Sequence, residues 1–470
     1  SWPGHFTIAT GAYPKTHGIT TNSFIVNNSS RQMVVLDREH QVLGSPASDN
    51  YSPENIRVTG ISDWIRAADS EAQTVALSLA RGLALAYFGK SDDDRTRNHV
   101  YWLDRYSGRF VTSTYYRDGY PEWLQHFNDQ ELPKYQESLI WSNSVPEEFW
   151  HLARRDDAPY ESDGIDTTFP HTFEKKYAEP SEENVNAWFY SYSPHANEAL
   201  FDLTKLSIEN LKLGQRESTD LIALDINNTD GVAHYYGPQS LEQLDVLMRL
   251  DHLLGDFLAY LDQTVGREKY IVVLCADHGG PNIAEYELEQ GRPAKRISEG
   301  EITSLLLDIE RFIVEYSGPD EELAAQIADE LEESDFVARA MTPEELMGSG
   351  PADRILGSYR NGYLREYQTA GPLWTTDVLS DNISPYHPSN YGIKVEFIEN
   401  GQHYLAPSAH GSSHLYDQEI PIIFFGGGVK AGISSDYART VDISPTLASL
   451  VGVSFPETVD GKVLKVDKSR

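Results

Sequence analysis

Apolar residues gather in three short, unbroken runs, at 220–225 (DLIALD), 270–275 (YIVVLC) and 420–425 (IPIIFF). An apolar run that does not alternate with polar residues predicts a strand buried on both faces, as in a parallel sheet. Residues 74–79 read as a fourth strand. Between the first two runs, Leu241, Leu244, Leu247, Leu250, Leu254, Phe257 and Leu261 recur every three or four positions and form one helix face. Strand, helix, strand in this order is a βαβ unit with a right-handed crossover. Further helical patterns lie at 196–212, 320–333 and 444–450, the last opening on Ser444-Pro445, a cap and a first-turn proline. The reading is α/β: a doubly wound, mostly parallel central sheet flanked by helices.

Two stretches break this rhythm. Residues 100–195 are rich in Trp, Tyr, Pro and Asn, and residues 284–400 mix strands, an acidic helix and Pro/Gly loops. Both read as insertions over the carboxyl edge of one domain spanning 1–470. Open α/β sheets place ligands at that edge, so the polar residues following each strand carry the chemical interest.

Charge narrows the field. Against 38 Lys and Arg stand 72 Asp and Glu, a net −34. No basic stripe stands out, which argues against nucleic acid as a stable partner. An anionic substrate then needs concentrated local positive charge, such as metal ions. No apolar run approaches the ~20 residues that span a bilayer. The single cysteine, Cys275, excludes an intrachain disulfide and a cysteine zinc site, and as the end of an apolar strand it reads as core packing.

The strand ends carry a pattern. Asp230 and His234 follow the first run, Asp277 and His278 follow the second, and His410 precedes the third. Carboxylate and imidazole are good zinc donors, and neighbouring strand ends let them converge. The opening segment, Ser1-Trp-Pro-Gly-His5 and onward to Asn22, reads as a tight turn into a helix whose N-terminal amides suit an anion. By these residues alone the reacting hydroxyl stays open among Ser1, Thr7, Thr10, Thr16 and Thr20. His5 and His17 read as hydrogen-bonding supports of the turn, and His414 as a support near His410.

The segment SWPGHFTIATGAYPKTHGITTN resembles the nucleophile segment of the alkaline phosphatase superfamily. It is most similar to that of bacterial phosphatases with a threonine nucleophile and of nucleotide pyrophosphatase/phosphodiesterases. TDGVAHYYG, CADHGG and AHGSSHLYDQEIPIIFFG resemble that superfamily's metal segments, and TVDISPTLASLVGV its closing helix. The resemblance implies Ser1 as nucleophile and metal contact, with Asn22 and Arg81 binding phosphate. It implies two zinc ions held by Asp230, His234, Asp277, His278 and His410. The implied reaction is hydrolysis of a small phosphate ester through a phosphoserine, and the implied location is the periplasm or outside the cell. The pattern leaves the oligomeric state open.

Three departures qualify this likeness. The family takes one more zinc-ligand Asp from a first strand about forty residues before the nucleophile, so that strand is expected to be missing from these 470 residues. Leu79 stands two positions before Arg81, where the threonine-nucleophile phosphatases carry a lysine for the monoester dianion. This leaves phosphodiesters as an alternative substrate class. Ser1 replaces threonine, which keeps the hydroxyl. Three rivals remain: a sulfatase, which needs Arg where His5 stands; a nucleophile using its own α-amino group, which leaves the Asp/His pairs unexplained; and an inactive binding homologue.

Overall fold

The computed structural model describes residues 1–20, 22–26, 30–45, 50–80, 83–87, 95–136, 140–162, 166–172, 190–361, 391–404 and 406–467. Arg81 lies outside them.

Five strands make the central sheet: β1 (Val42–Leu43), β2 (Thr74–Ser78), β3 (Asn98–Leu103), β4 (Phe110–Ser113) and β5 (Leu221–Asp225). Their order is β1-β4-β3-β2-β5. β2 pairs in parallel with β3 and with β5, whereas β4 runs antiparallel to β3 and to β1. The parallel heart of the expected sheet is therefore β3-β2-β5, and the edge beyond it is antiparallel. Residues 98–113, which include much of the first Trp/Tyr cluster, are strands of this sheet, with Tyr101 and Trp102 fully buried.

Successive side chains of a strand point to opposite faces, and both faces of β2 and β3 are covered. Val75, Leu77, Tyr101 and Leu103 pack with Ala196, Leu200 and Phe201 of α2 (Pro194–Leu211) and Phe257 and Leu261 of α4 (Leu241–Thr264). Ala76, Val100 and Trp102 pack on the other face with Trp2 and Phe6 of α1 (Trp2–Thr10). α3 (Asn228–Tyr236) follows β5, and α5 (Ile443–Leu450) packs on α1, where the Ser444 hydroxyl donates to the Ile8 carbonyl at 2.5 Å.

The remaining two long apolar runs form β6 (Ile271–Cys275) and β7 (Ile422–Gly426), paired antiparallel from Ile271↔Gly426 to Cys275↔Ile422. No described pairing joins β5 to β6. Double burial, expected for all three runs, is met by β2 and β3 but not by β5, β6 and β7. Leu274 is 40% exposed and Ile423 51%, and Cys275 is half-buried rather than in the core. The physical reason is position: among the described residues β5 pairs only with β2, and β6 and β7 only with each other, so each has an edge without a strand neighbour.

Residues 295–340 and 391–404 contribute to a further apolar core that includes Ile297, Ile302, Ile309, Ile327, Leu331 and Val395. Its strands Lys394–Phe397 and Gly401–His403 bring their residues to the carboxyl edge of the central sheet, where they face the cavity described next.

Candidate active site

α1 begins where the sequence predicts. Ser1 caps it, its Oγ accepting the Gly4 N–H at 3.3 Å, with Pro3 in the first turn. Gly4 has a steric cause. A Cβ there would stand 3.0 Å from both Ser1 Oγ and Asp277 Cβ, tighter than ordinary contacts. The absence of a side chain lets the helix start lie against the loop after β6. Ser1 Oγ then donates to Asp277 Oδ2 at 3.3 Å, and the Trp2 N–H donates to Asn22 Oδ1 at 2.8 Å.

The other groups arrive from strand ends. Asp230 and His234 sit one turn apart on α3, and His410 enters from the loop before β7. Ligand atoms of Asp230, His234 and His410 lie within 4.8 Å of one another. Nε2 of His410, His234 and His278 stand 3.2, 3.5 and 3.8 Å from the same oxygen, Asp230 Oδ1. His278 Nε2 is also 3.5 Å from Asp277 Oδ2, and its ring stacks on His410 with centroids 3.5 Å apart. His278 thereby links the Asp230 group to the Asp277 and Ser1 group.

The outer nitrogens fix the rings. His234 Nδ1 lies 2.7 Å from the Ser408 carbonyl and His278 Nδ1 2.7 Å from the Gly279 carbonyl. A carbonyl only accepts, so each Nδ1 carries the proton and each Nε2 lone pair turns inward. Metal-binding histidines are normally held this way. Three inward imidazole nitrogens around carboxylate oxygens match the donor chemistry of zinc. The residues present fit a divalent cation at Asp230, His234 and His410.

Electrostatics follow from this crowding. Burial alone would raise Asp230, but His234, His410 and His278 reverse it and hold the carboxyl well below its usual range. Asp277 is likewise held low by His278 and His5 against burial. Burial and the neighbouring His410 push His278 down to about 4, which favours the neutral ligand form.

The loop carrying His410 is braced on several sides. Asp417 Oδ2 accepts from Gly411 N, Ser412 N and Ser412 Oγ at 2.7, 2.6 and 2.7 Å. Buried Glu396, raised to about 7 by desolvation, accepts from Ser413 N at 2.9 Å and Tyr359 Oη at 2.8 Å. His414 Nε2 lies 2.9 Å from the Phe397 carbonyl, consistent with a supporting role. His17 supports α1 through Thr7 Oγ1 at 3.1 Å, as the sequence suggests.

Sequence reasoning gave His5 only a local role. It does meet the Ser1 carbonyl through Nδ1 at 2.7 Å, but its ring also stands between Asp225 Oδ1, 3.2 Å from Nε2, and Asp277 Oδ2, 3.3 Å from Nδ1. Burial opposes its charge, yet the two carboxylates prevail and lift it to about 10. Asp225 was read as the end of a strand and nothing more. Its second oxygen accepts from Ser78 Oγ at 2.6 Å. The signal was present in the polar residue closing an apolar run, but only tertiary contact shows its partner.

These groups open into one cavity of about 460 Å³. Ser1, Asn22, Asp230, His234 and His410 line one part, and Phe397, Gln402, His403 and Tyr416 another. Arg105, which the sequence did not single out, is also on the wall. The volume suits a small molecule.

Residues 1–344 match the model of the type I phosphodiesterase/nucleotide pyrophosphatase family. Alkaline phosphatase PhoV of Synechococcus elongatus is 28% identical over 98% of this chain and 82% of its own. Alkaline phosphatase PafA of Elizabethkingia meningoseptica is 25% identical over 98% of this chain and 84% of its own. A crystal structure of wild-type PafA superposes with a TM-score of 0.80 at 22% identity, covering 99% of this chain and 88% of that one.

Proposed function

Since the chain belongs to the type I phosphodiesterase/nucleotide pyrophosphatase family of the alkaline phosphatase superfamily, we propose that it is a metal-dependent phosphoric ester hydrolase of the alkaline phosphatase kind. The observation that carries this reading is the convergence of His234, His278 and His410 on one oxygen of Asp230, with Asp277 and the Ser1 hydroxyl alongside. The alkaline phosphatase names of PhoV and PafA support the substrate class, small phosphate esters.

Two zinc ions are proposed, one held by Asp230, His234 and His410 and one by Asp277, His278 and Ser1. Bound divalent cations supply charge neutralisation for the transferring phosphoryl group and lower the pKa of a hydroxyl. The protein's own groups do the rest. Ser1 Oγ gives its proton to solvent and attacks phosphorus, forming a phosphoserine as the P–O bond to the ester oxygen breaks and that oxygen leaves as the alcohol, taking a proton from solvent. Water then attacks the phosphoserine and restores the hydroxyl. Asp277, which accepts the Ser1 hydrogen bond, orients that hydroxyl, and the Gly4 N–H approaches the same oxygen. Asn22 and Arg81 are proposed phosphate contacts.

One further strand is proposed between β5 and β6. His5 touches Asp225 and Asp277 at once while no described pairing joins β5 to β6, which supports this reading. The whole chain is proposed to work as one α/β unit, with residues 284–400 overlying its ligand edge, and to act in the periplasm or outside the cell. No helix of the described residues is long and apolar enough to cross a membrane.

The test is hydrolysis of p-nitrophenyl phosphate at alkaline pH. Activity should vanish with chelator, return with zinc, and vanish in Ser1→Ala while that variant still binds metal. Turnover retained by Ser1→Ala moves the nucleophile to another hydroxyl. Turnover of bis(p-nitrophenyl) phosphate alone selects the diester alternative, and purified protein that holds no metal favours the binding homologue.

A further inference from the structure

Arg105 follows β3 at the carboxyl edge of the sheet and lines the same cavity as Ser1, Asn22 and Asp230. It is the only Arg or Lys among the described residues on that wall. In a chain with 72 acidic residues against 38 basic ones, a partly buried guanidinium normally finds a carboxylate. Among the described residues, none lies in ion-pair reach of Arg105. Its one hydrogen bond goes to a neutral group, the Tyr192 hydroxyl, at 2.7 Å, and its Nε is buried without a partner.

Tyr192 holds this cation beside the acidic and imidazole cluster. The guanidinium carbon lies 5.4 Å from the Tyr192 ring centroid, and the same ring lies on Gly231, the residue after Asp230. The fit leaves no room for even one added carbon, since a Cβ at Gly231 would fall 1.7 Å from Tyr192 Cδ1. Leu79 is 1% exposed and packs into the apolar core, so that position sends no charge into the cavity.

Resting on the phosphoester reading above, we propose that Arg105 is a substrate-binding residue that takes a non-bridging oxygen of the phosphoryl group. It supplies the positive charge that distinguishes a monoester dianion from a diester monoanion. A guanidinium suits this role because its planar fork offers two N–H donors to one phosphoryl group.

The experiment compares wild type, Arg105→Ala and Arg105→Lys on p-nitrophenyl phosphate and bis(p-nitrophenyl) phosphate, which share a leaving group. Metal content and thermal midpoint are measured alongside. Arg105→Ala should lower monoester kcat/KM by about tenfold or more, the range of a hydrogen bond to a charged group. Diester kcat/KM should change far less, and Arg105→Lys should regain part of the loss. Calorimetric binding of inorganic phosphate to the metal-loaded protein reads the same cation without turnover and should weaken in Arg105→Ala. Wild type that turns over neither ester defeats the hydrolase reading, and the phosphate titration then decides on Arg105 alone. Equal losses on both esters, or unchanged phosphate binding, overturn the proposal.

Discussion

Asp417 offers a quantitative test of how the His410 loop is held. One of its oxygens accepts three hydrogen bonds from Gly411 and Ser412, at 2.6–2.7 Å. Asp417 is 1% exposed, so water replaces these bonds poorly in a truncated variant. Asp417→Ala strands the two backbone N–H groups, each costing about 1–3 kcal/mol when buried and unpaired, so a loss of about 2–6 kcal/mol is expected. Gly411 adds to the demand, because its φ of 103° is held only while its neighbours fix it. The affected residues adjoin His410, so metal affinity should fall by about 10- to 100-fold, the usual effect of removing a ligand's support. Asp417→Asn keeps an acceptor but not its charge and should cost about half as much. Urea unfolding and competition with a chromogenic chelator measure the two effects. The reasoning fails if Asp417→Ala unfolds within about 0.5 kcal/mol of wild type, a normal surface-substitution value, with unaltered metal affinity. It also fails if Asn is as damaging as Ala.

Two further outcomes follow from other parts of the molecule. Gly231→Ala should displace Tyr192 and with it the anchor of Arg105, lowering turnover of the chromogenic monoester by about tenfold, with the metal retained; wild-type turnover would mean that the ring has room to shift. His171, fully buried, lies 3.0 Å from Glu242 and 3.3 Å from Asp166, and although burial opposes its charge these partners raise it to about 9. Because its folded pKa exceeds the unfolded value of 6.5, its stabilisation is complete below about pH 6.5 and is lost as pH rises through 9. The stability gap between wild type and His171→Gln should therefore shrink by about 3 kcal/mol between pH 6 and pH 10 in urea melts; a constant gap would refute the charged form.

What the sequence revealed was local. The leucine spacing of α4, the strand at Thr74–Ser78 and the closing helix near Ser444 depend on neighbours within a few residues, and each appears at or within a residue or two of its expected place. The Asp/His pairs stood out because each is short and follows an apolar run. What stayed hidden depends on distant partners. His5 reveals its role only once Asp225 and Asp277, more than two hundred residues away, close on its ring. Arg105 looks like any arginine after a strand until the cavity places it beside Ser1. The antiparallel sense of β6 and β7 could not be read either, since an apolar run carries no direction.

The break between β5 and β6 has a mechanical consequence for the chemistry. Asp225 closes β5, which pairs with β2, and Asp277 lies just beyond β6, which pairs with β7, so two strands that share no described pairing are bridged by the His5 ring. A slip of a single residue along either strand moves a carboxylate by about 3.3 Å, as far as the contacts His5 makes are long. One imidazole ring is thus the gauge between two separately anchored strand ends, behind the hydroxyl of Ser1.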